Sequence, residues 1–351
     1  MNALRPIPAL AIQPASLDDP RLEAFVRGHA GAAPFHLPQW SRAVEQGTGQ
    51  RAHYLVAEQA GAVRGVLPLT EIRSRLFGNA LVSAGFATGG GALAEDQSAA
   101  SALADAAWNL ALSLGCSTAE LRGGAVPAGW QASAGVYANF GRDLPADEGA
   151  LLGIIPRRQR AEVRKALASD LETSAGSDRR HRDAHYRVYA ESVRNLGTPV
   201  FPRALFEAAL DQFGEEADIV VVWKEGRPLA ALLNFYLGGT CQPFWGGGTW
   251  EARKCRANDL IYYELMRRAI GRGSTRADFG RSKIGTGPYA RKRIWGFEES
   301  PLTYAVRNMD GAAPRAVNPL DPKYRLKVAA WQRLPLWLAN RVGPVIARGL
   351  G

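Results

Sequence analysis

The sequence is short of cysteine, of histidine and of long apolar runs. Its three cysteines, Cys116, Cys241 and Cys255, lie far apart, so they build neither a disulfide framework nor a paired-cysteine metal site. A reduced, cytoplasmic setting is expected. The longest apolar runs, such as residues 219–223, are strand-sized, far below the roughly 20 residues of a membrane helix. Near the N-terminus only residues 9–12 form an apolar patch, flanked by prolines, which excludes a secretory core of the usual kind. His181 and His185 have helical spacing but no third ligand or intervening glutamate, so a surface helix is expected there, with no metal.

The remaining composition is that of a folded protein: 46% hydrophobic and 22% charged residues over 351 positions. That length exceeds one ordinary core, so two domains are expected. The formal net charge of +10 attracts polyanions: RNA, a nucleotide-linked substrate, or an anionic membrane face.

An internal repeat organises the chain. Residues 52–67 read as strand, turn, strand, and residues 217–232 align with them without a gap, setting Gly61 against Gly226. Residues 111–121 and 269–279 pair in the same way, each a helix end, a glycine stop and a strand. The helices before them are expected over 98–114 and 259–270, with Leu103, Ala107 and Leu110, or Ile261, Leu265 and Ala269, on one face. Each half thus reads hairpin, third strand, helix, strand, an order shared by acetyltransferase-like α/β domains. Glycine triplets, 89–91 and 246–248, follow the third strands and serve either a turn or a ligand cleft. Between the halves, Arg157, Arg160 and Arg164 share one face of a basic helix that can grip phosphates or be solvated.

Residues 278–298 carry the densest chemistry. Arg281, Lys283, Arg291, Lys292 and Arg293 are set among glycines and aromatics, a composition suited to holding an anion. Acyl transfer to an amine passes through a tetrahedral oxyanion, which a fixed cation such as Lys292 or Arg281 can stabilise. Asp278 can orient the amine or take its proton, or simply pair with Arg281.

This segment resembles the C-terminal signature of FemAB-like proteins: Asp278 to Lys283 as Asp-Phe-Gly-Arg-Ser-Lys, the Gly285 to Gly287 turn, then Trp295 to Phe297. The stretches 195–202, 318–324 and 331–344 continue the likeness, and 34–40 looks like the family's entry motif. In the subgroup it looks like, such proteins accompany exosortase and PEP-CTERM systems in bacteria that make exopolysaccharide. The resemblance implies two tandem GNAT-like (acyl-CoA N-acyltransferase-like) domains, each a mixed sheet with flanking helices. It also implies transfer of an aminoacyl or acyl group to an amine of an envelope or exopolysaccharide precursor. Better understood relatives take the amino acid from aminoacyl-tRNA and deliver it to a peptidoglycan precursor. Lys292 matches the lysine of the family's Phe-Lys pair, but Arg291 replaces the aromatic, which puts the packing around the acceptor in question.

The expected site is therefore Lys292 and Asp278 for catalysis, with Arg281, Lys283, Tyr289, Arg291, Arg253, Arg256 and Trp245 for substrate. The donor is expected to be aminoacyl-tRNA, or alternatively acyl-CoA, with no bound cofactor. Residues 250–258 lack the glycine that usually cradles a pyrophosphate, which disfavours coenzyme A. A third reading is a non-catalytic binding protein of the same fold. The expected domains are 1–148, 149–311 and a basic-aromatic tail, 312–351, packed on the first domain or lying on a membrane surface.

Overall fold

The computed structural model describes residues 9–310 and 322–351, the side chains of 322–325 excepted. The chain divides into two compact units. The first holds the chain up to Ala134, the stretch that starts at Thr303, and Gly349–Gly351; the second runs from Gly135 to Leu302 and takes the C-terminal helices as far as Arg348.

In the first unit, β1 (Ala11–Pro14), α1 (Pro20–Gly28) and α2 (Pro38–Thr48) precede the hairpin β2 (Arg51–Gln59) and β3 (Ala62–Ile72). Then come β4 (Ala80–Ser83), the short β5 (Leu93–Ala94), α3 (Gln97–Ser113) and β6 (Thr118–Arg122). β3 and β4 are antiparallel, β4 and β6 parallel, joined by α3. Asp96 caps α3 by accepting from the Ala99 amide at 2.8 Å. Leu103, Ala107 and Ala111 of this helix pack on Leu55, Leu67, Leu69 and Leu81 of the sheet.

The second unit repeats this order. β7 (Gln131–Asp143), α4 (Leu151–Ile154), α5 (Arg157–Leu167), β8 (Glu172–Gly176), α6 (Arg179–Leu196) and α7 (Arg203–Phe213) lead to the hairpin β9 (Ala217–Lys224) and β10 (Arg227–Leu237). β11 (Thr240–Gly248), α8 (Ala257–Gly271), β12 (Arg276–Lys283), α9 (Gly287–Ile294) and β13 (Glu298–Asn308) follow. The strand order from β7 is β7-β12-β11-β10-β9-β8. Leu260, Ile261 and Leu265 of α8 and Val163 of α5 share a core with Val220, Val222 and Phe279 of the sheet. Both hairpins turn alike: Ala60 and Gly61 have φ of 53° and 78°, Glu225 and Gly226 of 50° and 73°. Two successive left-handed residues make the tight turn whose twist matches paired strands.

The division differs from the expected boundary after residue 148. β7 continues past Gly135 to pair Tyr137–Asp143 with β12, whereas β13 ends by pairing Tyr304–Asn308 with β6. Each unit's last strand therefore comes from the stretch of chain flanking the other. Backbone hydrogen bonds between segments so far apart leave no local signal in the residues.

The tail also lies elsewhere than on the first unit. α10 (Pro322–Arg333) and α11 (Leu336–Ala347) belong with the second unit and pack against α6 and the chain just after it, and only Gly349–Gly351 joins the first. A Cβ added at Gly197 would meet Val328 at 2.4 Å, and one at Gly343 would meet the Val200 amide at 3.0 Å, so small residues let these elements approach closely. Residues 312–321 of the expected tail lie outside the described residues.

Candidate active site

β11 and β12 are parallel neighbours registered only at Thr240 with Arg276 and Cys241 with Ala277. β11 nonetheless stays paired with β10 as far as Gly248, and β12 with β7 as far as Lys283. The two strands must therefore part after Cys241 and Ala277. A cleft of about 620 Å³ lies at the end of β11, walled by Gly246–Gly248, the first turns of α8, Arg253, and Gly287, Pro288 and Arg291 of α9. The glycine triplet is needed for its shape: a Cβ at Gly248 would lie 2.1 Å from Asn258 Oδ1, and one at Gly247 2.2 Å from Ser192 Oγ.

Two charged groups meet inside. Asp259, in the first turn of α8, accepts from Arg291 Nη2 at 2.8 Å. Its side chain is 16% exposed, and burial holds its carboxyl above the usual carboxylate range despite the guanidinium beside it. Arg291 also faces the Tyr262 ring, and Arg253 lies over the Trp250 ring at 4.9 Å. The cleft thus holds a carboxylate with raised proton affinity paired with Arg291, and Arg253 lines the same cleft. Sequence reasoning missed Asp259 because an acid in a first helical turn reads as a routine partner of the helix dipole.

Of the expected residues, the cleft gathers Arg253 and Arg291. Lys292 is not among the cleft's walls. Its ammonium is buried and donates to the carbonyls of Phe279, Gly280 and Arg281 at 2.6, 3.0 and 3.2 Å. A bulge between Asp278 and Gly280 breaks the ladder there, and Lys292 supplies donors to the backbone around it. Burial brings its pKa down to about 8. All three donors of the ammonium are thus taken up by carbonyls of β12.

Asp278 lies at the base of the parting, where its Oδ1 accepts from Asn139 Nδ2 at 3.0 Å and from its own loop at Gly280 N at 2.8 Å. Gln242, just past the last registered pair, reaches its other oxygen at 3.5 Å. Arg281 lies over the Tyr137 ring at 4.6 Å. Lys283 is partly buried, which lowers its pKa. Tyr289 turns its hydroxyl to Glu299 at 2.9 Å and sets its ring edge-on to Phe140. Arg256 pairs with Glu162 of α5 at 2.6 Å. Trp245 is a core residue: it is 4% exposed and packed on Phe206 and Phe244 under α6 and α7.

The other sequence features resolve individually. Arg160 donates to the carbonyls of Gly153 and Ile155, ending α4, while Arg157 and Arg164 remain exposed. His181 and His185 are buried rather than on a solvated helix face. His181 lies between Asp178 and Ser174, and the Nε2 of His185 bonds the Trp245 carbonyl. Arg256 takes φ 65° at the start of α8, so the chain makes a left-handed turn there without glycine, and no side chain caps that helix.

Residues 157–293, which are α5 to α9, match a family model described as an acetyltransferase (GNAT) domain. Among solved structures, the chain is similar to FemX, with a TM-score of 0.67 at 16% identity over 84% of this chain and 96% of that one. It is similar to a tandem GNAT protein from the clavulanic acid biosynthesis pathway, with a TM-score of 0.58 at 11% identity, covering 87% and 100%. A third likeness is to the C-terminal domain of a putative lysylphosphatidylglycerol synthetase from Agrobacterium fabrum, with a TM-score of 0.55 at 14% identity, covering 83% and 91%. No curated protein sequence matches. The fold is thus α/β of the GNAT class, in tandem.

Proposed function

We propose that the chain is a FemAB-like acyltransferase, moving an acyl or aminoacyl group from an activated donor onto an amine in the cleft of the second unit. The observation that carries this reading is Asp259, a partly buried carboxylate of raised pKa held by Arg291 in the cleft at the end of β11. The amine attacks the donor's carbonyl carbon, its proton passes to Asp259, and the oxyanion forms beside the guanidinium groups of Arg291 and Arg253. Collapse of the oxyanion breaks the donor's C–S or C–O bond and forms the amide, and the leaving thiol or hydroxyl takes back the proton held by Asp259. Raised proton affinity makes Asp259 a better base than an exposed carboxylate would be.

Aminoacyl-tRNA is the donor best matched to the net charge and to the exposed Arg157 and Arg164. Acyl-CoA is the second reading, favoured by the uncapped start of α8 beside the cleft. The acceptor proposed is an amine of a cell-envelope or exopolysaccharide precursor, in a cytoplasmic protein serving an exosortase-associated system. The test is to mix purified protein with labelled aminoacyl-tRNA or acyl-CoA and an amine-bearing precursor extract, and to follow which label moves. Transfer lost in Asp259→Asn with folding intact supports the reading. Transfer undiminished in that variant, or no transfer from either donor, removes it.

A further inference from the structure

The two C-terminal helices are sided in an unusual sense. On α11, Ala339, Gly343 and Ala347 recur at helical spacing and are buried. The opposite side shows Trp337, Arg341, Val345 and Arg348, again at intervals of three and four, all exposed. Trp337 is 70% and Val345 63% exposed. On α10, Val328 faces Gly197, and Leu326, Ala330 and Arg333 form the exposed stripe, with Leu326 85% exposed. A surface helix normally turns its large apolar side chains inward, whereas Leu326, Trp337 and Val345 are turned outward. Residues 322–351 contain no acidic side chain, but six basic ones.

From this combination we infer that α10 and α11 dock the protein on an anionic lipid surface, with Trp337, Val345 and Leu326 entering the headgroup boundary and the arginines meeting lipid phosphates. Tryptophan favours that boundary because its ring is apolar and its N–H is polar. Arginines interleaved with apolar residues give the two attractions that interfacial helices combine. A second copy of the chain fits the stripe poorly. A twofold contact would set Arg341 and Arg348 against their own equivalents with no carboxylate in the stripe to offset them. RNA would use the arginines and leave Val345 and Leu326 in water. This inference goes beyond the transferase reading and does not need it.

The test is co-sedimentation of the full chain with vesicles of phosphatidylcholine alone, or of phosphatidylcholine containing one part in four of phosphatidylglycerol. Binding is expected only to the anionic vesicles. The double variant Trp337→Ser/Val345→Ser, which keeps every charge, is expected to bind at least tenfold more weakly. Arg333→Gln and Arg341→Gln are each expected to cost about fivefold, the effect of losing about 1 kcal/mol per basic residue. All four positions are exposed, and unchanged thermal unfolding confirms that the variants fold. No binding of the intact protein to anionic vesicles overturns the inference. So does equal binding by the apolar double variant, or a tighter association with single-stranded RNA that the double variant retains. Because no donor is present, a failure here leaves the assay of transfer untouched.

Discussion

The ammonium of Lys292 donates to the carbonyl oxygen of Phe279 at 2.6 Å, the shortest of three bonds it makes to successive residues of β12. The helix α9 is thereby tied to a bulged strand at the edge of the parting from β11. Removing the donors while keeping the bulk leaves buried carbonyls unsatisfied, a loss of about 1–3 kcal/mol for each. Lys292→Met is therefore expected to lower unfolding free energy by at least about 3 kcal/mol, measured by denaturant titration. Any fall in transfer should track the loss of folded protein.

Asp259 is expected to behave differently. Asp259→Asn keeps shape and one hydrogen-bond acceptor but removes the base. Transfer at saturating donor should fall about 10²–10⁴-fold, the usual worth of positioned acid–base catalysis, with donor affinity little changed. In the unaltered protein the rate should decline as pH falls through a value above the ordinary carboxylate range, because burial raises this group. Pre-steady-state kinetics over a pH series checks both.

The glycine wall of the cleft gives a steric prediction. In Gly248→Ala the new methyl would meet Asn258 Oδ1 at 2.1 Å and Ala252 Cβ at 3.1 Å, so the Asn258 side chain must move. The fold should survive with a loss of about 1–3 kcal/mol, typical of overpacking. The apparent KM for donor should rise about tenfold, with a smaller effect on kcat.

Acid should weaken the fold through two histidines. Burial holds His36 and His185 near pKa 4, below their usual 6.5. Between these values the unfolded chain binds more protons than the folded one, so stability is full above about pH 6.5 and is lost as pH falls through about 4. Each histidine is worth about 3 kcal/mol across that window. Denaturant titrations at pH 7 and pH 4.5 should show the fall, and His185→Gln should shrink it while costing stability at pH 7.

Much of the architecture was legible in the residues because it is local. The hairpins at Gly61 and Gly226, and the helices ending near Gly115 and Gly273, follow from turn and periodicity rules within short windows. The common order of the two halves followed from aligning them. The strand exchange between β7 and β13 was not legible, since nothing in Tyr304–Asn308 says that its partner is Thr118–Arg122. The site was legible only in part for a geometrical reason. Arg291 and Lys292 are adjacent in sequence, but successive residues on a helix point about 100° apart. One lines the cleft and the other runs under the strand, so a cluster of cations in sequence is not one in space.

The exchange of last strands bears on how the chain is made. Thr118 Oγ1 meets Asn308 Oδ1 at a sequence separation of 190, and among the described residues β13 fills the outer edge of β6. During synthesis, β6 must emerge and wait with open amides and carbonyls while the chain from Gly135 to Leu302 is translated. Cutting the gene in two after position 148 would deprive the N-terminal half of its closing strand and leave that edge available to strangers.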